Sequence, residues 1–310
     1  MKKIDFIFDT DIGADCDDVM ALAYLVFAKR NLGLDLKAVC VSNGCEYGVS
    51  ALHAFFEDLS EEVPPIGSPA KPLKAYEGFC PLLAKNFGSR KEPMKAENSV
   101  KVMRRALVNS ENAVICGVGA FTNVAALLDS EPDELSPLDG VELVRQKCSR
   151  IVLMAGIFEE GNERIEWNVH LDIEATRTVV QKCPVPLAFL PSETGIGILT
   201  GKPAIEKYGD KTPLTASFLD RKSVRETLTR PSWDPATAVY AIEGCRDFMK
   251  ESPRGTISVD ESGKTTFKED ENGLHTVILL NVGDEKSRAD CEILGAKYID
   301  DCALWVYGDR

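Results

Sequence analysis

The sequence predicts an α/β protein: an open, mostly parallel sheet with helices on both faces and a small β-hairpin at one edge. Three observations carry this expectation. Short apolar runs alternate in order with helical patterns, and the first several runs end in polar tips. Late in the chain, Thr256 to Val259 and Thr265 to Lys268 alternate around Asp260-Glu261-Ser262-Gly263-Lys264, as a hairpin does.

Taken in order, Ile4, Phe6, Ile7 and Phe8 fit a strand covered on both faces. A helix over 17–30 and a strand over 36–41 follow, the strand ending in Ser42-Asn43-Gly44. Val49, Leu52, Phe55 and Phe56 then share one stripe of a helix over 46–59. Residues 63–67 read as a short strand. They enter 68–97, where several Gly and Pro and the absence of a steady period predict a mobile loop. Strands are expected over 112–118, 150–157, 185–190 and 276–281, and helices after Asn123 and over 141–147, 172–182 and 284–304. A further helix follows Pro231-Ser232-Trp233-Asp234-Pro235.

The 310 residues contain no repeat, low-complexity tract or convincing linker, so a single domain over 1–310 is expected. No apolar run reaches membrane-spanning length, and Met-Lys-Lys leads straight into the first strand, so neither a membrane span nor a secretory leader is expected. Ten scattered cysteines without a CxxC pair suit reduced thiols in a cytoplasm. A net charge of −13 argues against nucleic acid and anionic membranes as partners and leaves a small neutral substrate. His53, His170 and His275 fall inside helix or strand patterns and read as structural.

Chemistry concentrates in residues 9–18, where Asp9, Asp11, Asp15, Asp17 and Asp18 crowd between a strand's carboxyl end and a helix's start. In open α/β sheets that rim is where ligands bind. A helix N-terminus favours one or two carboxylates. Five repel one another unless a cation or bonded donors compensate them, and their number predicts a divalent-metal site.

These residues resemble a family. Asp9-Thr10-Asp11-Ile12-Gly13…Asp17-Asp18-Val19-Met20-Ala21-Leu22 is similar to the opening signature of the nucleoside hydrolases, which cleave the N-glycosidic bond of ribonucleosides. Gly119-Ala120-Phe121-Thr122-Asn123 resembles their second element. Val152-Leu153-Met154-Ala155-Gly156, Gly161-Asn162 and Glu166-Trp167-Asn168 resemble the third, and Ser232-Trp233-Asp234-Pro235 stands where a late metal-binding aspartate belongs. The resemblance implies Ca²⁺ held by Asp11, Asp18, Asp234 and the Val118 carbonyl, with Asp11 as general base on a bound water. It implies substrate contacts from Asp17, Asn43, Met154, Asn162, Glu166 and Asn168, with Trp167 packed behind its two polar neighbours. A homodimer or homotetramer is implied as well.

The chain departs from the family pattern in three ways. Ile12 replaces a usual proline, and Ala14-Asp15-Cys16 lengthens the acidic loop, so that Asp15 competes with Asp17 for the ribose contact. Trp233 stands where many members have a histidine that protonates the leaving base. In one purine-selective branch a tryptophan there stacks on the base, which implies that purine nucleosides are favoured, with Tyr76 or Phe79 as a second aromatic. Two other readings fit less well. A haloacid-dehalogenase-like phosphatase shares an Asp-x-Asp opening but lacks the closing Asp-Asp pair. A non-catalytic nucleoside- or sugar-binding protein would not need Asp11.

Overall fold

The computed structural model describes residues 3–309 except 72, 74 and 75. In chain order the strands are β1 (Ile4–Thr10), β2 (Leu34–Val41), β3 (Ile66–Ser68), β4 (Glu97–Asn98), β5 (Ala113–Gly117), β6 (Cys148–Met154) and β7 (Leu187–Leu190). Then come β8 (Leu199–Thr200) and β9 (Arg230–Pro231), which pair with each other. The last are β10 (Met249–Glu251), β11 (Gly255–Val259), β12 (Thr265–Glu269) and β13 (His275–Leu280).

The main sheet runs β12-β11-β13-β7-β6-β5-β1-β2-β3-β4, with β10 also on β13. Every pairing from β13 through β4 is parallel, while β10, β11 and β12 join antiparallel. The expected hairpin is β11–β12, at the edge. β1 lies between β2 and β5, so the chain leaves it in one direction and returns on its other side. That is a topological switch point, and it opens a crevice at the strands' carboxyl ends. Register brings those ends level, with Thr10 opposite Val41 and Asp9 opposite Gly117.

Both faces of the sheet are covered. In β1 the side chains of Phe6 and Phe8 enter one core and Ile7 enters the other, as the two-residue period of a strand requires. Helices α1 (Asp17–Asn31), α2 (Gly48–Asp58), α3 (Cys80–Phe87), α4 (Ser99–Val108), α5 (Thr122–Leu128), α6 (Gly140–Lys147), α7 (Trp167–Leu171) and α8 (Ile173–Lys182) occur in the first two thirds. They are followed by α9 (Ser192–Gly195), α10 (Lys202–Tyr208), α11 (Pro213–Asp220), α12 (Lys222–Thr227), α13 (Trp233–Glu243) and α14 (Arg288–Tyr307). α1 packs against both α13 and α14 and is buried almost all round, which is why it shows no polar face.

Several expectations change. Residues 68–97 are not one irregular loop, since Phe79, Cys80, Leu83 and Ala84 bury one side of α3. Its eight residues are too few for the period to stand out. α4 was missed because Lys101, Arg104 and Arg105 interrupt its apolar stripe. Yet Arg104 is itself buried, donating to Asp133, the Ser130 hydroxyl and the carbonyls of Ser136 and Leu138. The short helices α10, α11 and α12 likewise lay in a stretch with no clear pattern.

One buried amide ties the crevice together. Asn123 donates from Nδ2 to Asp9 Oδ1 (2.7 Å) and to the Val41 carbonyl (2.9 Å), and its Oδ1 accepts the Ala70 N–H (2.8 Å). It thereby links β1, β2 and the segment after β3. Asn123→Ala strands several buried groups and is expected to lower unfolding free energy by about 3 kcal/mol. The check is the urea midpoint of the folded protein, and an unchanged midpoint would contradict the assignment.

Candidate active site

The loop after β1 carries the acids into the crevice. Asp17 and Asp18 occupy the first turn of α1, and Asp234 occupies the first turn of α13. Because these helices pack together, their N-termini meet. One carboxylate oxygen from each of Asp17, Asp18 and Asp234 lies within 4.8 Å of the other two, and all three residues are buried. Asp17 Oδ2 accepts the Asp234 N–H at 3.1 Å, and Asp18 Oδ1 accepts the Thr10 hydroxyl. Asp18 Oδ2 has no hydrogen-bond partner among the described residues. An unpartnered buried oxygen on one of three clustered carboxylates fits a hard cation, and the donors are all oxygen.

Asp11 stands beside this group rather than within it. Its charge acts on Asp18 and Asp234. Asn43 Nδ2 donates to its backbone carbonyl at 2.7 Å. Gly119 permits its position, because a Cβ there would come within 2.6 Å of Asp11 Cβ. At Gly13, φ is +105°, a conformation that L side chains rarely adopt. That lets the chain turn between Asp11 and α1.

The electrostatics follow from burial. Burial first, then the neighbouring charge of Asp15, pushes Asp11 up to about 7 and Asp17 up to about 8. Burial also raises Asp18, Asp234 and, deeper in β1, Asp9 well above the usual carboxylate range. Glu166 is pushed up to about 7 by burial, although it accepts the N–H groups of Asn168 and Val169 at the start of α7. Two helix N-termini do not outweigh desolvation here.

A cavity of about 580 Å³ opens over these acids. Asp11, Asp17, Asp234, Glu166, Asn168, Met154, Val118 and Trp233 all line it, so most of the expected residues share one space. Asn168 Nδ2 donates to the Val118 carbonyl (2.8 Å) and the Met154 carbonyl (3.1 Å), bracing the floor. Trp233 is half-buried and donates from Nε1 to the Ser192 carbonyl at 2.9 Å.

Other expected residues sit elsewhere. Asn43 does not line the cavity. Its Nδ2 is spent on the carbonyls of Asp11 and Ile12, and its Oδ1 on the Cys45 N–H, so it shapes the acidic loop. Asn162 lies in a neighbouring hollow, bonded to Glu159 and Arg164. Asp15 lines the cavity but is ion-paired to Arg221 and Arg230, while the buried Asp17 reaches the acid triad. Trp167 is not packed behind its neighbours. It is half-exposed at the cavity wall, 6.0 Å from the Tyr76 ring. Phe79 is buried away from the space. The sequence reading missed Arg221, Arg230 and Ser192. The available signal was Asp15 itself, an extra acid in a crowded loop that needed a counter-charge.

Comparison with known proteins bears on this geometry. The family model described as inosine-uridine preferring nucleoside hydrolase matches residues 6–305. Among curated relatives, the pyrimidine-specific ribonucleoside hydrolase RihA of Citrobacter koseri is 30% identical over 199 residues. That match covers 59% of this chain and 59% of the relative, so the chain spans less than two thirds of that protein's length. Among solved structures, an inosine-uridine preferring nucleoside hydrolase from Bacillus anthracis superposes with a TM-score of 0.69 at 18% identity, covering 98% of this chain and 99% of that one. A purine-preferring ribonucleoside hydrolase from Gardnerella vaginalis gives 0.69 at 16% identity, covering 97% and 99%. At such identities the structures speak for the fold alone.

Raised carboxyl pKa values make a prediction about stability. With Asp11, Asp17 and Glu166 titrating near 7–8 when folded and near 4 when unfolded, the cation-free folded state holds extra protons between these values. Their contribution to stability is present below about pH 4 and is lost as pH rises through about 7–8. A cation bound to the acids replaces those protons, so its stabilising effect grows with pH. Thermal melts of chelator-treated protein should therefore fall in midpoint from about pH 5 to about pH 8. Added Ca²⁺ should raise the midpoint several degrees more at the higher pH. An equal shift at both pH values would contradict a site built from these acids.

Proposed function

The chain belongs to the inosine-uridine preferring nucleoside hydrolase family, and on that basis we propose that it hydrolyses the N-glycosidic bond of ribonucleosides to free base and ribose. The observation that carries this reading is the convergence of Asp11, Asp17 and Asp234 with Glu166 and Asn168 on one cavity at the sheet's switch point.

Carboxylates accept hydrogen bonds and hydroxyls donate them, so the acidic floor suits a ribose. Glu166 is held rigid by two backbone N–H groups, and Asn168 has its amide nitrogen committed, which leaves its Oδ1 for a sugar hydroxyl. A site committed this way rejects a sugar lacking a hydroxyl, because a buried partner is then stranded. Asp11, pushed up to about 7, is matched to accept a proton from the attacking water near neutral pH. Asp18, Asp234 and the Val118 carbonyl, with Asp11, are the proposed ligands of Ca²⁺, and the geometry adds Asp17. Such a cation, when bound, lowers the pKa of its water. Trp233 presents the flat surface on which the purine preference rests. The same chemistry in a cytoplasmic homodimer or homotetramer completes the proposal.

Ribose release from inosine, uridine, 2′-deoxyinosine and p-nitrophenyl riboside, with and without chelator, tests the reading. Ribosides are expected to be cleaved, chelation to abolish turnover, and the deoxyriboside to lose at least about 100-fold in kcat/KM. No ribose from any substrate would overturn the reading, and uridine outrunning inosine would remove the purine preference. Asp11→Ala should lower kcat by about 1,000-fold or more with an unchanged circular dichroism spectrum. A fully active Asp11→Ala enzyme would remove its role as base.

A further inference from the structure

The acids on one side of the cavity are answered by guanidinium groups on another, which the hydrolysis reading does not use. Arg221 and Arg230 flank α12, and both line the cavity. Each reaches the lengthened acidic loop. Arg221 Nη1 donates to the Ala14 carbonyl at 2.9 Å and lies 3.3 Å from Asp15 Oδ1. Arg230 Nε donates to both Asp15 oxygens, at 2.9 and 3.1 Å, and its Nη2 also pairs with Asp15. The Arg230 guanidinium stands 5.2 Å from the centre of the Trp233 ring. One carboxylate thus holds two cations, leaving a net positive charge over a floor of carboxylates. The bonds of Arg221 and Arg230 to the described residues run from Arg221 Nη1 and from Arg230 Nε and Nη2, and none runs from Arg230 Nη1 or Arg221 Nη2.

We propose that Arg221 and Arg230, clamped by Asp15 beside Trp233, bind the leaving base and stabilise the negative charge it acquires. The inference rests on the proposed hydrolysis and deepens it. Guanidinium groups only donate, so their partner must be an acceptor. The hydroxyl-rich ribose belongs to the acids, and the acceptors of a nucleoside are the carbonyls and ring nitrogens of its base. In the reaction, the C1′–N bond breaks with its electron pair leaving on the base. Water oxygen forms the new bond to C1′, and one water proton goes to the Asp11 carboxylate. The base anion then takes a proton from solvent. Donors aimed at the atoms where that charge collects act more strongly in the transition state than in the ground state. No histidine lines the cavity among the described residues, so the histidine that many members place before the late aspartate has no counterpart here, and the arginines offer charge stabilisation in its stead.

The test compares leaving groups. The wild type, Arg221→Met, Arg230→Met and both Arg→Lys variants are assayed on inosine, uridine and p-nitrophenyl riboside, whose nitrophenolate departs without needing such donors. The ratio of nucleoside to p-nitrophenyl-riboside kcat/KM should fall by about 100-fold in each Met variant and less in the Lys variants. Ca²⁺ affinity measured by calorimetry should not weaken in the Met variants, because losing a positive charge near Asp17 can only favour a cation there, and this separates a base contact from damage to the acid cluster. Parallel losses on all substrates, or no loss, would overturn the proposal while leaving hydrolysis intact. A wild type that prefers nucleoside 5′-monophosphates, with the arginines carrying that preference, would reassign them to phosphate. A wild type releasing no ribose would instead remove the hydrolysis reading on which the inference stands.

Discussion

The structure is organised around the cost of burying like charges. Asp9, Asp11, Asp17, Asp18, Asp234 and Glu166 are all buried around one crevice. Taking one carboxylate out of water is expensive, and a cluster adds mutual repulsion. The fold meets part of that cost with donors from the Thr10 hydroxyl, the Asn123 amide and the backbone at the starts of α7 and α13. The remainder is left open at Asp9 Oδ2 and Asp18 Oδ2, and the cluster of Asp17, Asp18 and Asp234 beside the latter is compatible with a metal ion.

Placement of the acids depends on elements that never touch a ligand. β1 sits at the switch point of the parallel sheet, so the loops after β1 and β5 must lie side by side. Close approach of those loops requires Gly119. α1 and α13 bring distant parts of the chain together as two packed helix starts, which is how residues 17, 18 and 234 share one point. Asn43 shapes the acidic loop through its side-chain amide, which bonds to the backbone of Asp11, Ile12 and Cys45.

The lengthened loop gives the cavity two chemically different sides. Asp15 adds its charge to the repulsion at Asp11 and Asp17, and the two arginines paired with it offset part of that charge. The Asp15 side chain pairs with Arg221 and Arg230, and the Arg230 guanidinium stands 5.2 Å from the centre of the Trp233 ring. One cavity thus carries both acceptors and donors in its lining, a polarity suited to a molecule with a hydroxyl-rich part and an acceptor-rich part.

The alternating apolar runs were enough to determine the α/β class, and the two-residue and helical periods placed most central strands and helices because those elements bury whole faces. Asp11, Asp17 and Asp18 were legible as candidates because carboxylates so crowded need a reason, and Asp234 through the resemblance of Ser232-Trp233-Asp234-Pro235 to the family's late aspartate. What the linear pattern did not contain was partnership. Arg104 interrupts the apolar stripe of α4 yet is buried and paired with Asp133, and Trp167, expected behind its two polar neighbours, stands at the cavity wall. Asp15 was expected as a sugar contact and turned instead to two arginines more than two hundred residues away. Local period reports which way a side chain points from its own helix or strand. Which charge meets it there is decided only when distant segments pack, and in this protein that packing separates the acidic floor from the basic wall.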